Sequence, residues 1–271
     1  MSYECITVEH DGKIGILTFN RERVLNAFNP QLIEETNAAM AALSADEAVF
    51  AIVVRGAGRA FSAGFDLKAS SERKPDGPRD WEVILRADFD FIMQFWDCPK
   101  PTLAAVHGHC LAGAFELALA CDITVAAEST MFGEPEVRFS SGIIAMLLPW
   151  STGPKQAKEL LLSGNDRIPA QRIYDFGLIN RVVPDGEEFD ATMAIARDMS
   201  NAAAHSVRMT KRAVHRSYEI MGMRQALEAA LDIDILIEST MTPEKAEFKR
   251  IRDGEGLKAA LAWRDAKFRE D

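Results

Sequence analysis

Three short apolar runs in the first half of the chain constrain the fold most strongly. They span residues 50–54, 102–106 and 123–126, and each is typical of a strand buried on both faces. Segments of helical period separate these runs, so the pattern predicts β-α-β units and a mostly parallel sheet. With 271 residues, the chain is long enough to bury a sizeable core in one large domain or two modest ones.

The N-terminal region adds two strands and a helix to this pattern. Residues 3–8 and 14–19 predict strands joined by a turn. Asn29 followed by Pro30 is a typical helix start, because Asn caps the first turn and Pro suits the first helical position. Residues 70–79 are polar and contain two prolines and a glycine, which predicts a flexible connection.

The last third of the chain has helical period throughout. The predicted helices cover residues 187–204, 206–221, 223–240 and 243–263. We therefore expect an α/β core at 1–186 that carries the functional site. The helical region at 187–271 is expected to pack on this core or on a neighbouring subunit.

Composition and charge exclude several classes of protein. The net charge is −10 and the pI is near 5.1, which argues against a general nucleic-acid-binding protein because the cationic excess is missing. No segment approaches the roughly 20 apolar residues of a membrane span, and the N-terminus lacks the pattern of a signal or transit peptide. We expect a cytoplasmic protein with no metal site, whose four cysteines are free, buried thiols: Cys5, Cys98, Cys110 and Cys121.

Two segments place small residues where a strand leads into a helix. The first is 59–67 and the second is 106–122. Small residues let a backbone N–H approach a ligand closely, and Gly113 falls at a helix start, where the free N–H groups favour a developing negative charge. For the first segment, a tight turn with no ligand is an equally good interpretation.

Two glutamates in this region are candidates for acid–base chemistry. Glu116 is the only charged residue between His109 and Asp122, and a buried carboxyl needs a partner or a task. Glu136 follows 20 residues later, after one intervening strand, so both glutamates are expected at the same edge of the sheet. A structural Glu116 bonded to a backbone amide is the alternative. For Glu134 we expect a solvated loop carboxylate.

Other polar residues favour structural roles. His107 and His109 flank a glycine at a strand end and are expected to be structural. A basic stripe at helical spacing predicts a solvated helix face rather than a site for ligand phosphates or RNA. It consists of Arg208, Lys211, Arg212, His215 and Arg216.

Four segments together resemble the enoyl-CoA hydratase/isomerase (crotonase) superfamily. They are Phe-Ser-Ala-Gly-Phe-Asp-Leu at 61–67, Gly-Ala-Phe-Glu-Leu-Ala at 113–118, Phe-Gly-Glu-Pro-Glu at 132–136 and Gly-Leu-Ile-Asn-Arg-Val-Val-Pro at 177–184. They occur in the family's order and at its separations, and the resemblance runs over nearly the whole chain. It implies an α/β fold with a spiral core of ββα-type units and a C-terminal helical trimerisation region. It also implies a homotrimer or homohexamer in fatty acid metabolism.

The resemblance assigns a role to each site residue. Ala63 and Gly113 match the residues whose backbone N–H groups form the oxyanion hole for the thioester carbonyl. Glu116 and Glu136 match the glutamates that add water across the 2,3 double bond of an enoyl-CoA, with coenzyme A entering only as part of the substrate and no other cofactor. The residues that fall along the path of substrate and CoA are Val24, Ala27, Ala63, Gly64, Phe65, Asp66, Leu67 and Gly113.

Three departures from the family pattern concern the substrate. Residues 140–149 are bulkier than the family's glycine-rich turn, although the Ile144 amide is still placed to help hold a water. Glu22 replaces a common proline, and Leu261 stands where phenylalanine is usual. Isomerisation or hydrolysis of a CoA thioester, or CoA binding without catalysis, are the alternatives to hydration. A Rossmann dehydrogenase is excluded because no Gly-x-Gly-x-x-Gly follows the first strand.

Overall fold

The computed structural model describes residues 3–268, and its strands form two sheets. The strands are β1 (Ile6–Asp11), β2 (Ile14–Phe19), β3 (Ala51–Gly56), β4 (Thr102–Val106), β5 (His109–Leu111), β6 (Ile123–Ala127), β7 (Met131–Gly133), β8 (Ile168–Pro169) and β9 (Arg181–Val183). Six of them form the main sheet in the order β1-β2-β3-β4-β6-β9, and the small sheet has the order β5-β7-β8. In the main sheet only the β1–β2 pair is antiparallel, as the apolar runs predicted.

Helices connect the strands and fill the last third of the described chain. They are α1 (Pro30–Ala45), α2 (Leu67–Glu72), α3 (Pro78–Asp97), α4 (Gly113–Ala120), α5 (Leu148–Ser151), α6 (Pro154–Ser163), α7 (Ala170–Asp175), α8 (Glu188–Met199), α9 (Ala204–Ile220), α10 (Met223–Ser239), α11 (Pro243–Glu255) and α12 (Leu257–Ala266). The cap of α1 is the predicted one, since the Asn29 side chain accepts from the Leu32 N–H at 3.0 Å. The single helix predicted over 243–263 is instead two helices, because Gly256 adopts a φ of 93° between them. Half of the polar stretch at 70–79 is helical, and 73–77 connects α2 to α3.

The main sheet is covered on both faces. Successive side chains of a strand point to opposite faces of the sheet, so each strand contributes to two cores. Leu17, Ile52 and Val54 face the larger core, and Ile14 and Val53 face the smaller one. The smaller core is closed by α8, the first helix after residue 187. Part of the C-terminal helical region therefore packs directly on the α/β core.

The basic stripe on α9 is only partly solvated. Lys211 donates to the Asp122 carboxylate at 2.7 Å and to the Lys100 carbonyl at 3.0 Å. His215 stacks on the Trp96 ring with centroids 4.2 Å apart. The prediction of a solvated face was wrong for these two side chains, because the partly buried Asp122 carboxylate draws them inward.

The structure also bears on the cysteines and on membrane insertion. All four cysteines are free and buried, as predicted. Within residues 3–268, no helix combines the length and apolar character needed to cross a membrane.

Candidate active site

The loop after β3 is held by a buried asparagine that the sequence analysis did not single out. The Asn26 side-chain amide donates to the carbonyls of Ala57, Ala60 and Phe61 at 2.8–3.2 Å. Its backbone has a φ of 54°, in the left-handed region that asparagine tolerates better than most residues. This tolerance is the one sequence signal that pointed to Asn26. The contacts fix the position of the following segment, 62–66.

The predicted role of Ala63 in an oxyanion hole was wrong. Its N–H donates to the Leu25 carbonyl at 2.9 Å, so it is not available to a substrate. The segments that contain Leu25 and Ala63 form two more backbone hydrogen bonds. The Phe28 N–H donates to the Gly64 carbonyl at 2.8 Å, and the Asp66 N–H donates to the Phe28 carbonyl at 3.0 Å. Because these two distant parts of the chain pair in this way, the Ala63 N–H points towards Leu25.

Two neighbouring backbone N–H groups have no acceptor among residues 3–268: those of Phe65 and Gly113. Gly113 is the first residue of α4, where the helix dipole adds a partial positive charge. The two segments are in close contact, since a Cβ on Gly64 would lie 3.3 Å from the Gly113 nitrogen and 2.7 Å from the Ala112 Cβ. Gly64 has a φ of 83°, which glycine adopts readily, whereas Ala112 has a φ of 57° that is strained for a residue with a Cβ. The pair can donate two hydrogen bonds to one oxygen.

Glu116 lies in the first turn of α4 and is 1% exposed. One carboxylate oxygen accepts from the Ala145 N–H at 2.7 Å, and the other has no hydrogen-bond partner among the described residues. Burial and the nearby Glu136 charge raise its pKa well above the usual range, although the amides of Ala145 and Ile144 offset part of the effect. The bulky segment 140–149 therefore supplies a direct contact to this glutamate.

Glu134 is fully buried, and the prediction of a solvated loop carboxylate was wrong. It follows β7, where the backbone of Asn165 and Asp166 packs against Gly133 so closely that a Cβ on Gly133 would lie 2.3 Å from the Asn165 carbonyl oxygen. Neither carboxylate oxygen finds a hydrogen-bond partner in the described part of the chain. Burial, followed by the charges of Glu136 and Glu116, raises its pKa well above the usual range.

Glu136 completes a group of three carboxyls. It begins a short 3-10 helix, Glu136–Phe139, and burial raises its pKa to about 8. One oxygen each from Glu116, Glu134 and Glu136 lies within 4.8 Å of the others. Because like charges so close cannot all ionise, the group retains protons at neutral pH. Such a group can both accept and donate a proton. The same three oxygens have the spacing of a metal-ligand set, but they would first have to lose those protons.

A cavity of about 350 Å³ opens beside these groups. Ala63, Phe65, Leu67 and Glu136 line it, together with Trp81, Leu85, Phe139 and Ile144. Apolar and aromatic walls with a few polar groups are typical of a small-molecule site. The cavity therefore places the free Phe65 N–H and the Glu136 carboxyl next to space for a ligand.

Val24 and Ala27 do not line this cavity, and Val24 lies in a separate surface pocket formed by residues 20–24. Val24 is 45% exposed and Ala27 is buried, and their segment pairs with 63–66 through the backbone contacts above. The Asp66 side chain is occupied, since it caps α2 and forms an ion pair with Arg21 at 3.0 Å. Its backbone is engaged as well, since the N–H donates to Phe28 as described above and the carbonyl accepts from the Ser70 N–H at 2.8 Å.

Comparisons with known proteins agree with this architecture. A sequence profile of the enoyl-CoA hydratase/isomerase family matches residues 9–271. A crystal structure of an enoyl-CoA hydratase/isomerase from Xanthobacter autotrophicus Py2 superposes with a TM-score of 0.97 at 50% identity, covering 99% of this chain and 100% of that chain. A probable enoyl-CoA hydratase from Mycobacterium bovis is 35% identical over 81% of this chain and 84% of its own. A crotonyl-CoA hydratase from Syntrophomonas wolfei is 32% identical over 86% and 88%.

The chain therefore belongs to the enoyl-CoA hydratase/isomerase family, as its four motifs predicted. Its α/β architecture is the crotonase-like fold that the resemblance implied.

Proposed function

We propose that this protein is an enoyl-CoA hydratase that adds water across the 2,3 double bond of a 2-enoyl-CoA. The single observation that carries the proposal is the approach of the Glu116 and Glu136 carboxyls to within 4.8 Å, with Glu136 lining the cavity. The names of the relatives from M. bovis and S. wolfei support the same reaction. Coenzyme A enters only as part of the substrate.

In the proposed mechanism, the backbone first stabilises the charge that develops on the substrate. The thioester oxygen accepts hydrogen bonds from the Phe65 and Gly113 N–H groups, with Phe65 taking the role that the sequence assigned to Ala63. These donors are fixed before the reaction, and they stabilise the enolate more than the ground-state carbonyl. A single donor of this kind typically contributes about 10²–10³ in rate.

The two glutamates then add the elements of water. One carboxylate takes a proton from a water molecule, whose oxygen forms a bond to C3, and the other carboxylic acid delivers a proton to C2. Raised pKa values suit this division, since one group must hold a proton and the other must accept one. No electrons are exchanged, so the reaction needs no redox cofactor.

The path of the CoA group follows the paired segments at the cavity mouth. We assign it to Val24, Ala27, Gly64, Phe65, Asp66 and Leu67, which lie on these segments. Leu67 lines the cavity. The backbone hydrogen bond between Phe28 and Gly64 joins the two segments, which supports a CoA path formed by both.

Assembly into a trimer or hexamer is part of the proposal. Exposed apolar side chains of α9 and α10 and the connections after them support it, because such patches mark interaction surfaces. They are Met209, Val214, Ile220, Met221, Ile233, Leu236, Ile237 and Met241. We also propose a cytoplasmic location, which the four buried free thiols support.

Product analysis tests the proposed reaction against its alternatives. Incubation with crotonyl-CoA is expected to give a 3-hydroxyacyl-CoA, identified by chromatography and mass spectrometry. A shifted double bond would instead show an isomerase, and free CoA a thioester hydrolase. Saturable CoA binding with no product from any 2-enoyl-CoA would show a binding protein without this catalysis.

A further inference from the structure

The cavity extends beyond the catalytic group to a second set of acidic side chains. Most of these acids are neutralised by a cation. Asp88 forms an ion pair with Arg73 at 3.0 Å, and Glu238 pairs with Lys245 at 2.7 Å. Both acids line the same cavity as Glu136.

Asp234 is the exception at this end of the cavity. It lies on α10 and is 2% exposed. Within the described residues, neither carboxylate oxygen has a partner in hydrogen-bonding geometry, and no cation is paired with it. Burial and the charge of Glu238 raise its pKa to about 7, although the nearby Gly142 amide offsets part of this effect. A Cβ on Gly142 would lie 2.2 Å from Oδ1, so residue 142 leaves the carboxyl just enough room.

A buried carboxyl without a partner favours a ligand that supplies one. Water can solvate Asp234 while the cavity is unfilled, but an alkyl chain that displaced this water would leave the carboxyl without any hydrogen bond. Leaving such a group unsatisfied is strongly unfavourable. A ligand hydroxyl in the same place would donate to the carboxyl and preserve its hydrogen bond.

We propose that Asp234 binds a hydroxyl group on the acyl chain of the substrate, so that the enzyme prefers hydroxylated 2-enoyl-CoA thioesters over those with plain alkyl chains. The inference rests on the proposed function, because Glu136 and Asp234 line one cavity and the acyl chain must extend from the reacting carbons into it. A ligand carboxylate would be repelled by Asp234 and the nearby Glu238. A ligand ammonium would be repelled by the cations that already lie over the aromatic walls, Lys245 over Trp81 and Arg264 over Phe139.

A binding experiment tests the inference separately from catalysis. Saturated acyl-CoA esters from butanoyl to octanoyl are compared by calorimetry with ω-hydroxy esters in which hydroxyl replaces the terminal methyl. We expect at least one hydroxy ester to bind about 10- to 100-fold more tightly than its methyl counterpart. Asp234→Leu should abolish this ratio. Asp234→Asn, which retains an acceptor oxygen, should keep part of it.

Glu238→Gln is the matched control, because Glu238 lines the same cavity but already has Lys245 as a partner. This variant should still prefer the hydroxy ester, unlike Asp234→Leu, although the size of the preference changes because Glu238 contributes to the raised pKa of Asp234. An equal affinity for methyl and hydroxy esters, a preference that survives Asp234→Leu, or tighter binding of an ω-amino ester would overturn the inference. Hydroxyl-selective binding without hydration of any 2-enoyl-CoA would overturn the proposed function but would support hydroxyl binding by Asp234.

Discussion

Glu116, Glu134 and Glu136 lie within one buried group that no ion pair joins to a cation in the described chain. The environment, rather than the residue type, divides their roles. Glu116 is held by the Ala145 amide, Glu136 lines the cavity, and Glu134 lies behind them without solvent contact. At neutral pH, Glu134 is therefore expected to hold a proton and to reduce the repulsion between its neighbours.

Glu134→Gln tests this role. The neutral amide reproduces the protonated carboxyl, so kcat at pH 7 should stay within about tenfold of the wild-type value. Activity should also extend to higher pH, because the variant cannot acquire the extra negative charge that Glu134 gains there. A pH profile of kcat measures both effects. A loss of activity as large as the loss expected for Glu116→Gln or Glu136→Gln would contradict this role.

The residue assignments show where sequence reasoning fails. The spacing of Glu116 and Glu136 predicted a shared site because both follow parallel strands, and their oxygens do meet. The free N–H of segment 62–66 belongs to Phe65, two residues beyond the predicted Ala63, because the Ala63 N–H pairs with Leu25, and the sequence does not reveal that pairing. Glu134 is buried by the folded chain, and nothing near it in the sequence signals that burial.

At the scale of the elements, the N-terminus of α4 positions the site. Its first residue, Gly113, approaches Phe65 so closely that a Cβ there would lie 2.3 Å from the ring. The ring itself packs edge-on against Phe28 and Phe91, with centroids 5.7 and 6.2 Å apart. A side chain at 113 would therefore displace Phe65 and the N–H that it carries.

Gly113→Ala should lower kcat by about 10² through this displacement. Gly254→Ala is the control, since Gly254 lies on α11 with no atom within 4 Å of an added Cβ. The control should keep wild-type kcat and gain about 0.5–1 kcal/mol of stability. Steady-state kinetics and thermal unfolding of both variants provide the test. Wild-type kcat in Gly113→Ala would contradict the role of this helix end.

The elements themselves were largely predictable from the sequence. The buried strands β3, β4 and β6 are short apolar runs between helical segments, a pattern with few other solutions. The break at Gly256 was missed because apolar residues keep helical spacing on both sides of it. The small sheet was missed as well, since β5, β7 and β8 are only two or three residues long.

For the whole molecule, the buried carboxyls make stability depend on pH. The folded-state pKa values of Glu136 and Asp234, about 8 and about 7, exceed the unfolded values near 4. The folded state therefore holds more protons than the unfolded state between these limits, and its stability falls as pH rises through this window. Groups with lowered pKa values, such as Asp122, change the free energy of unfolding mainly below pH 4.

Urea unfolding at pH 5, 7 and 9 measures this dependence. We expect the free energy of unfolding to decrease across the series, and Asp234→Asn to reduce the decrease because it removes one of the raised groups. A free energy that rises from pH 5 to pH 9 would contradict the protonation of the buried carboxyls. If the free energy of unfolding falls equally with pH in the wild-type and Asp234→Asn proteins, Asp234 does not contribute to the pH dependence.

The most direct test of the proposed reaction follows the absorbance of the conjugated enoyl thioester in crotonyl-CoA. The wild-type protein should remove this absorbance rapidly. Glu116→Gln and Glu136→Gln should each slow the loss by about 10²–10⁴ while remaining folded and binding CoA esters, and Glu134→Gln should stay close to wild type. Near-normal turnover in either the Glu116 or the Glu136 variant would contradict the central claim that these two carboxyls add water together.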